Sequence, residues 1–440
     1  MATWKGVFVI RYEIIIMDSS IDIYRNSIEN YSIDVHFMTQ NSPFGSPLGT
    51  NTKSRANRLH SGLQNIEQVN LCRVLSRAQK FILQEIARKI LKRMQIRTTK
   101  NHPEGYKTFV HRVNYCLRCR IDSQKGVGVR INEERGTAHY DNLQRCGSVW
   151  TCAPCSGEIT EVRKVELKQG IDNWRKKSGH VYLVTLTNRH HFGDDLGDLL
   201  KGQQKALVKL WGQRAVKEML ATLGYVGRIT ATEVTWSFDN GWHPHFHLLV
   251  FFDHEINAQG LQTFLANEWR NACRKAGLKL PSMERGVDVR DGTYADQYVA
   301  KWGLEHELTK GHVKKGRAES LTPFDLLRQY PESPELFGDL FREFADAFKG
   351  KRQLVWTKGL KELLAVDEKT DEEIIFETEK ESILINELAG EIWELLVKYQ
   401  QRAEYLEAIE KDYADNGDRA YQLVLKLANF YAKEIEENLA

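Results

Sequence analysis

The chain has 440 residues, of which 42% are hydrophobic and 28% are charged, and its formal net charge is +3. This length predicts two or three domains with a sizeable core, and the composition is ordinary for a soluble protein. No run of 18 or more apolar residues occurs, and the first residues lack the pattern of a secretory signal. We therefore expect a cytoplasmic protein without a transmembrane helix.

The charged residues are distributed unevenly along the chain. Residues 361–440 carry 9 Lys and Arg against 21 Asp and Glu, a net charge of −12, which leaves +15 on residues 1–360. A basic body with an acidic tail indicates a polyanionic partner for the body.

The N-terminal part of the chain is predicted to be poorly ordered up to residue 66, because Ser, Asn, Thr and Gly crowd positions 40–62. An apolar helical period follows from about Gln68 to Arg97, and its other face is basic. This helix either faces DNA or is a core helix with a solvated basic face.

Five of the seven cysteines fall between residues 116 and 155, as two Cys-x-x-Cys pairs and one single residue. Two such pairs can complete a tetrahedral shell, so the spacing predicts a structural Zn²⁺ within a Cys-rich segment at 67–158. The 32 residues between the pairs leave room for a hairpin around 126–129. Cys146 or His111 is an alternative for one ligand. The predicted zinc ligands are Cys116, Cys119, Cys152 and Cys155.

Between residues 159 and 310, apolar patterns typical of strands alternate with patterns typical of helices. Their order predicts an α+β fold in which an antiparallel sheet carries helices on one face. The predicted strands are 180–187, 229–236, 242–252 and 286–290, and the predicted helices are 199–223, 258–276 and 294–302.

The strand at 242–252 carries His243, His245 and His247, which project from one face because side chains two apart share a face. The preceding strand carries Glu233. A carboxylate and two imidazoles around one point, with open positions, would suit Mg²⁺ or Mn²⁺ acting on a phosphate.

The loop between these two strands decides whether Glu233 meets the histidines. A three-residue loop at 239–241, with Gly241 left-handed, pairs Phe238 with Trp242 and puts Glu233 opposite His247. A two-residue Asn-Gly loop would turn Glu233 to the other face. We predict the three-residue loop.

The helix at 294–302 places Tyr294, Tyr298 and Lys301 on one face, since they are spaced by four and three residues. Surface tyrosines often only pack. A tyrosine can also attack phosphorus and form a covalent phosphotyrosine, provided that a metal and a nearby cation balance the charge.

Four motifs follow one another along the chain, namely Leu-Val-Thr-Leu-Thr at 183–187, Glu233-Val-Thr, His243-Pro-His-Phe-His247 and Tyr298-Val-Ala-Lys301. In this order they resemble the HUH endonuclease superfamily and, more closely, the rolling-circle replication initiator (Rep) proteins of bacterial plasmids. Those proteins also tend to carry a Cys-rich segment such as 145–155, and to end their catalytic region like 353–361. The resemblance covers roughly residues 110–370.

The resemblance implies an HUH endonuclease domain at 159–310 that nicks and joins one DNA strand at a replication origin. It implies a divalent metal on His245, His247 and Glu233. Tyr298 would attack the phosphate, become linked to the 5′ end and leave a free 3′ hydroxyl. The implied partners are single-stranded origin DNA and the host helicase and polymerase.

Two positions depart from the resembled family. His243 is surplus to its two-histidine motif and either contacts DNA or packs. Position 294, where some initiators place a carboxylate, is Tyr, and this spacing resembles two-tyrosine phage initiators, so Tyr294 is a candidate second nucleophile. Asp296 is close in sequence but projects about 160–200° away from Tyr298 on an ideal helix.

Beyond residue 310 the sequence predicts a helical extension at 311–366 and an acidic helical tail at 367–440. No phosphate-binding Gly-x-x-x-x-Gly-Lys-Ser/Thr motif occurs, so a fused helicase domain is not expected. The tail either mediates association with another molecule or is a solvated helical appendage.

Two other functions remain open from the sequence. The chain could be a non-catalytic zinc-containing DNA-binding protein, in which case the two histidines and Tyr298 should lie far apart. It could also be an HUH relaxase or a single-strand transposase, although those proteins usually differ in motif order or lack this Cys-rich segment.

Overall fold

A computed structural model of the protein describes residues 66–92, 94–97, 106–300, 320–367, 369–374 and 382–439. The extension that was predicted to be poorly ordered, residues 1–66, lies outside these residues except for its last residue, Ile66. Lys301 also lies outside them. The chain divides into two compact units, residues 1–71 and 72–440, and every contact discussed below lies within the second. Among the described residues, no helix is long and apolar enough to cross a membrane.

The first half of the chain contains helices, two short antiparallel hairpins and the first strand of the central sheet. They are α1 (Ile66–Ile90), β1 (Met94–Arg97), β2 (Tyr106–Phe109), a 3₁₀ turn (Arg112–Asn114), β3 (Val127–Asn132), β4 (Thr137–Asp141), α2 (Ala153–Lys176), β5 (His180–Thr187), α3 (Leu196–Gly212) and α4 (Arg214–Thr222).

The second half contains the longest strands and the C-terminal helices. Its elements are β6 (Tyr225–Ser237), β7 (Gly241–Phe252), α5 (Ala258–Ala276), β8 (Val287–Arg290), α6 (Gly292–Ala300), α7 (Pro323–Gln329), α8 (Pro334–Ala347), β9 (Leu354–Trp356), α9 (Leu360–Leu363), β10 (Ile383–Leu388), α10 (Gly390–Lys398), α11 (Arg402–Asp415) and α12 (Arg419–Leu439).

The central sheet has five strands in the order β8-β5-β7-β6-β9, and all neighbours are antiparallel. The predicted α+β class with an antiparallel sheet is therefore confirmed. The predicted helix at 199–223 is divided, because α3 ends at Gly212 and α4 begins at Arg214.

Helices cover both faces of this sheet, so the prediction of helices on one face was wrong. Phe246 and Leu248 of β7 pack with α3, α4 and α5 on one side. Leu249 and Phe251 pack with α2 and α6 on the other. The physical reason is the unbroken apolar run at the end of β7, which alternates between the two faces and must be covered on both.

The hairpin between β6 and β7 has its three-residue loop at 238–240, because Ser237 pairs with Gly241. Glu233 therefore lies opposite His245, and the predicted pairing with His247 was wrong by two residues. A shift of two residues keeps every side chain on its face, so Glu233 still faces the histidines. The predicted left-handed conformation of Gly241 is confirmed, with φ +68°.

A second sheet joins the Cys-rich segment to the C-terminal part of the chain. It has the order β10-β3-β4, and the β3–β4 hairpin is the one predicted between the two cysteine pairs. Residues 383–388 were predicted to belong to a helical tail, but they form β10 and extend this hairpin. Pairing across the sheet, which the local sequence does not report, overrides the helical pattern there. The predicted domain boundaries stay predictions.

The C-terminal helices contact the Cys-rich segment through a buried arginine. Arg402 of α11 is 1% exposed and donates hydrogen bonds to Glu85 Oε1 at 2.7 Å and to the carbonyl of Leu117 at 2.8 Å. The Tyr140 hydroxyl of β4 donates to the carbonyl of Arg402 at 2.7 Å. These bonds tie α1, the Cys-rich segment and α11 into one packed region.

Candidate functional site

Two neighbouring strands bring a carboxylate and two imidazoles together. Glu233 lies on β6 and His245 and His247 lie on β7, and all three project from the same face of the sheet. Glu233 Oε2 is 3.6 Å from His245 Nε2 and 3.5 Å from His247 Nε2. One ligand atom from each residue lies within 4.8 Å of the others, so the three residues could hold one metal ion.

The other ring nitrogens of these histidines have partners that orient them. His247 Nδ1 lies 3.0 Å from the Thr185 hydroxyl on β5, and His245 Nδ1 lies 3.3 Å from the carbonyl of His243. Both Nε2 atoms are therefore directed toward Glu233. Metal-binding histidines are usually oriented in this way, so the donor set fits a divalent cation.

Helix α6 brings Tyr298 to the same point. Ala295 and Val299 are buried one turn apart in the core beneath the helix, which fixes its rotation. The Tyr298 hydroxyl donates a hydrogen bond to Glu233 Oε1 at 2.7 Å. Its ring centroid lies 4.8 Å from that of His247.

The electrostatics of this cluster favour a neutral imidazole beside an ionised carboxylate. Burial, with the neighbouring His245, lowers the pKa of His247 to about 4. Burial would raise the pKa of Glu233, but its contacts with His245, His247 and the Tyr298 hydroxyl outweigh it and hold that pKa at about 2. Burial and the Glu233 charge raise the pKa of Tyr298 well above its usual value, so the hydroxyl keeps its proton.

His243 points along the same face but pairs with a residue that the sequence did not single out. Its Nδ1 lies 2.5 Å from His190 Nε2, and its ring is stacked 5.2 Å from that of His245. Burial, with both neighbouring imidazoles, lowers the pKa of His243 to about 4. The available signal for His190 was its position just after β5, the strand that pairs with β7.

The remaining predicted residues of the helix are placed differently. Tyr294 is 41% exposed, and the Arg290 guanidinium lies over its ring at 4.7 Å. Both carboxylate oxygens of Asp296 accept hydrogen bonds from Arg175 at 2.9 Å, away from Tyr298. The structure thus brings Glu233, His245, His247 and Tyr298 together.

A second cluster consists of four buried thiols, those of Cys116, Cys146, Cys152 and Cys155. Their sulfur atoms all lie within 4.8 Å of one another, and three of the pairs are 3.5, 3.6 and 3.7 Å apart.

Cys146 occupies this cluster in place of Cys119, which the sequence had favoured. The backbone of Gln144 exchanges 2.8 Å hydrogen bonds with Leu117 and with Cys119, and this pairing carries Cys146 to the side of Cys116. His111, the other alternative ligand, instead accepts a hydrogen bond from the amide of Val113 at 3.2 Å.

Polar groups next to the thiol cluster are also buried. Gln84 Nε2 of α1 donates to Cys152 Sγ at 3.4 Å and to the carbonyl of Cys116 at 3.1 Å. Arg145 is ion-paired with Glu158 beside the sulfurs. A cation and an amide donor close to four sulfurs are suited to stabilising thiolates.

Comparisons with known proteins identify relatives among replication proteins. A family model described as a replication protein matches residues 142–408. The chain is 29% identical over 316 residues to "Protein rep" of Streptomyces lividans, a match covering 56% of this chain and 69% of that protein. It is 30% identical over 191 residues to a "Neomycin resistance protein" of Streptomyces cyanogenus, covering 36% of this chain and 44% of that relative, less than half of its length.

No solved structure matches the chain. The segment matched by the family model contains Glu233, His245, His247 and Tyr298. Because that model covers more than half of the 440 residues, the chain belongs to the replication protein family.

Proposed function

We propose that this protein initiates rolling-circle replication of a plasmid by metal-dependent, site-specific nicking and joining of one DNA strand, as an HUH endonuclease. One observation carries the proposal. The Tyr298 hydroxyl lies 2.7 Å from Glu233, whose other carboxylate oxygen lies 3.5 and 3.6 Å from the imidazoles of His247 and His245. The proposed nucleophile and the proposed metal ligands therefore lie together on one face of the sheet.

Glu233, His245 and His247 would hold Mg²⁺ or Mn²⁺, which when bound polarises the scissile phosphate and balances its developing charge. Thr185 and the His243 carbonyl orient the two imidazoles. The low pKa of His247 keeps its ring neutral, as a metal ligand requires.

Tyr298 would supply the attacking oxygen. Its Oη–P bond forms while the bond from phosphorus to the 3′ oxygen breaks, so the 5′ phosphate becomes linked to Tyr298. The hydroxyl proton of Tyr298 would pass to Glu233 Oε1, the acceptor of its hydrogen bond, and from there to water, while the departing 3′ oxygen would take a proton from water to become a free hydroxyl. Glu233 orients the tyrosine through the hydrogen bond to its Oε1. The reverse reaction, attack by a 3′ hydroxyl on the phosphotyrosine, joins the strand.

Two further residues complete the proposed machinery. Tyr294 lies one helical turn before Tyr298 and is exposed, so it can act as the second nucleophile in a later transfer. Lys301, by its spacing in the sequence, would balance charge on the attacked phosphate. Single-stranded origin DNA is the proposed substrate, and the free 3′ hydroxyl is the group that a host polymerase would extend behind a host helicase.

The four clustered thiols would hold a structural Zn²⁺. Zinc bound to four sulfurs at about 2.3 Å places them about 3.8 Å apart, and the closest sulfur pairs here are 3.5 to 3.7 Å apart. Arg145 and Gln84 would offset the charge of the thiolates. The ligands we propose are Cys116, Cys146, Cys152 and Cys155.

The non-catalytic alternative predicts that the two histidines and Tyr298 lie far apart. The 4.8 Å between the rings of His247 and Tyr298 favours an enzyme instead. Membership of the replication protein family favours an initiator over a relaxase or a transposase.

The test uses two pools of random single-stranded 40-mers, one labelled at the 3′ end and one at the 5′ end, incubated with the full chain and Mn²⁺. After denaturation, we expect the protein to retain the 3′ label, because Tyr298 keeps the 5′ phosphate of the downstream piece. The 5′ label should be released on a shortened strand. Cleavage without retained label, or label retained equally by Tyr298→Phe, would contradict the proposal.

A further inference from the structure

The loop after β5, residues 188–194, stands at the end of the row of histidines on β7. Two hydrogen bonds of His190 hold it there. Its Nε2 lies 2.5 Å from His243 Nδ1, and its Nδ1 lies 3.1 Å from the carbonyl of Asn240 in the β6–β7 loop. His243 is two residues from His245, which is about 7 Å along the strand. The loop therefore adjoins the proposed nicking site.

The same loop is fixed by backbone packing and by an ion pair. A Cβ on Gly241 would lie 3.1 Å from Phe192 Cα, so glycine lets the start of β7 approach the loop closely. Asp194 accepts a hydrogen bond from the amide of His191 at 2.8 Å and is ion-paired with Lys279 at 3.0 Å. The loop is therefore held by β7, by the β6–β7 loop and by Lys279, which lies beyond α5.

This fixed loop presents an aromatic side chain to solvent, since Phe192 is 65% exposed. Single exposed apolar residues are common and carry no meaning alone. The loop carries charges of both signs, with Arg189 before Phe192 and Asp194 after it, and Asp194 is paired with Lys279. Arg189 and Arg285 are exposed, and the carbonyl of Arg285 accepts a hydrogen bond from Thr187, the cross-strand neighbour of His245. A phenyl ring held beside the proposed nicking site, with exposed arginines on the adjoining segments, is suited to unpaired nucleic acid.

We propose that Phe192 is a stacking platform for an unpaired base of the DNA strand next to the scissile phosphate, a role that rests on the proposed nicking function. The nearby arginines would contact the strand's phosphates, and the phenyl ring would take a base face. Stacking of one base on an aromatic side chain corresponds to about 5- to 150-fold in affinity and tolerates any base.

The chain supplies a matched control at the same end of the sheet. Phe238 is 62% exposed, but its ring packs edge-on against Trp236 at 4.7 Å and lies 6.5 Å from that of Phe337. Trp236 pairs with Trp242, and the side chains of both project from the face of the sheet opposite the histidines. Phe238→Ala therefore removes an equally exposed phenyl group from the opposite side.

The test measures binding of fluorescein-labelled (dT)₂₀ by fluorescence anisotropy, using the full chain without divalent metal. We expect Phe192→Ala to raise Kd about tenfold, Phe192→Trp to restore it, and Phe238→Ala to leave it unchanged. The dependence of Kd on salt should keep its slope in Phe192→Ala, because no phosphate contact is removed. A merely structural role of Phe192 would not predict rescue by Trp.

The inference is overturned if Phe192→Ala binds within twofold of the unchanged protein, or if Phe238→Ala loses as much affinity as Phe192→Ala. The measurement needs neither metal nor cleavage, so its outcome is separate from that of the nicking assay. Absence of nicking with the expected binding losses would contradict the proposed function alone. Nicking with unchanged binding in Phe192→Ala would contradict this inference alone.

Discussion

The two carboxylate oxygens of Glu233 face different partners, and one of these partners is the hydroxyl of Tyr298. Oε1 accepts the hydrogen bond of the Tyr298 hydroxyl at 2.7 Å, while Oε2 faces the Nε2 atoms of His245 and His247. One side chain thus links helix α6 to the histidine strand. A phosphate on a metal ion bound by Oε2 and the two imidazoles would lie close to the tyrosine oxygen, as nucleophilic attack requires.

The first prediction concerns the metal-binding set. His245→Ala should lower the cleavage rate by about a thousandfold, because the phosphate loses its electrostatic stabilisation. Binding of single-stranded DNA without metal should stay within twofold, since it depends on phosphate contacts of the basic body. The assay is single-turnover cleavage with Mn²⁺, with exposed His254→Ala as the control. Undiminished cleavage by His245→Ala would remove the metal hypothesis.

The second prediction concerns Tyr294. Tyr294→Phe should nick at the normal rate but fail to complete a second strand transfer, because the attacking oxygen for that step is lost. A joining assay with two differently labelled strands measures this step. Tyr115→Phe is the control, because Tyr115 is also 41% exposed and lies in the Cys-rich segment. Normal joining by Tyr294→Phe would reduce this residue to a partner of Arg290.

The third prediction separates Cys146 from Cys119. Cys146→Ser should lose the bound zinc and lower the melting temperature, because a structural zinc contributes folding free energy. Cys119→Ser should keep one zinc per chain, since its sulfur lies outside the cluster of four. Elemental analysis after mild EDTA treatment distinguishes the two. Zinc retained by Cys146→Ser and lost by Cys119→Ser would restore the ligand set first predicted.

The fourth prediction concerns the buried pair of Glu85 and Arg402. Glu85→Gln should lower the free energy of unfolding by about 3 kcal/mol at pH 7, because it leaves a buried guanidinium without its counter-charge. Urea unfolding measures this. Glu407→Gln, which breaks an exposed pair with Lys411, should cost less than about 1 kcal/mol.

The same pair gives a pH dependence with a defined sign. Burial raises the pKa of Glu85, but Arg402, Arg88 and Arg118 outweigh it and leave that pKa below its usual value of 4.5. Its stabilising contribution is therefore complete above pH 4.5 and is lost as the pH falls through the lower, folded-state pKa. The stability difference between the protein and Glu85→Gln should shrink over this acid range. A difference that grows on acidification would contradict the ion pair.

The proximity of Glu233, His245, His247 and Tyr298 was easier to predict from the sequence than the register of the hairpin that carries three of them. Alternation on β7 and the spacing on α6 are local patterns that put three histidines and two tyrosines on shared faces, and the resemblance to Rep proteins singled out His245, His247 and Tyr298 among them. The hairpin register was not local. The loop is at 238–240, and Gly241, which begins β7, packs closely against Phe192. A contact between segments so distant in the chain leaves no periodic signal in the sequence.

Other differences have the same physical origin. Cys146 joins the thiol cluster through backbone pairing at Gln144, which no spacing rule predicts. The contact of His190 with His243 follows from the pairing of β5 with β7, which the local sequence does not predict. Residues 383–388 read as part of a helical tail because their partner strand lies about 250 residues earlier in the chain.

The most direct test of the proposed chemistry is mass spectrometry of the DNA-linked peptide, after the full chain reacts with the single-stranded pool and Mn²⁺. We expect the tryptic peptide that contains Tyr298 to carry the 5′ phosphate of the downstream DNA piece. Tyr298→Phe, which removes the attacking oxygen and little volume, should yield no such peptide and no initial nick. Nicked DNA with no linked peptide, or a link that persists in Tyr298→Phe at the normal initial rate, would contradict the central proposal.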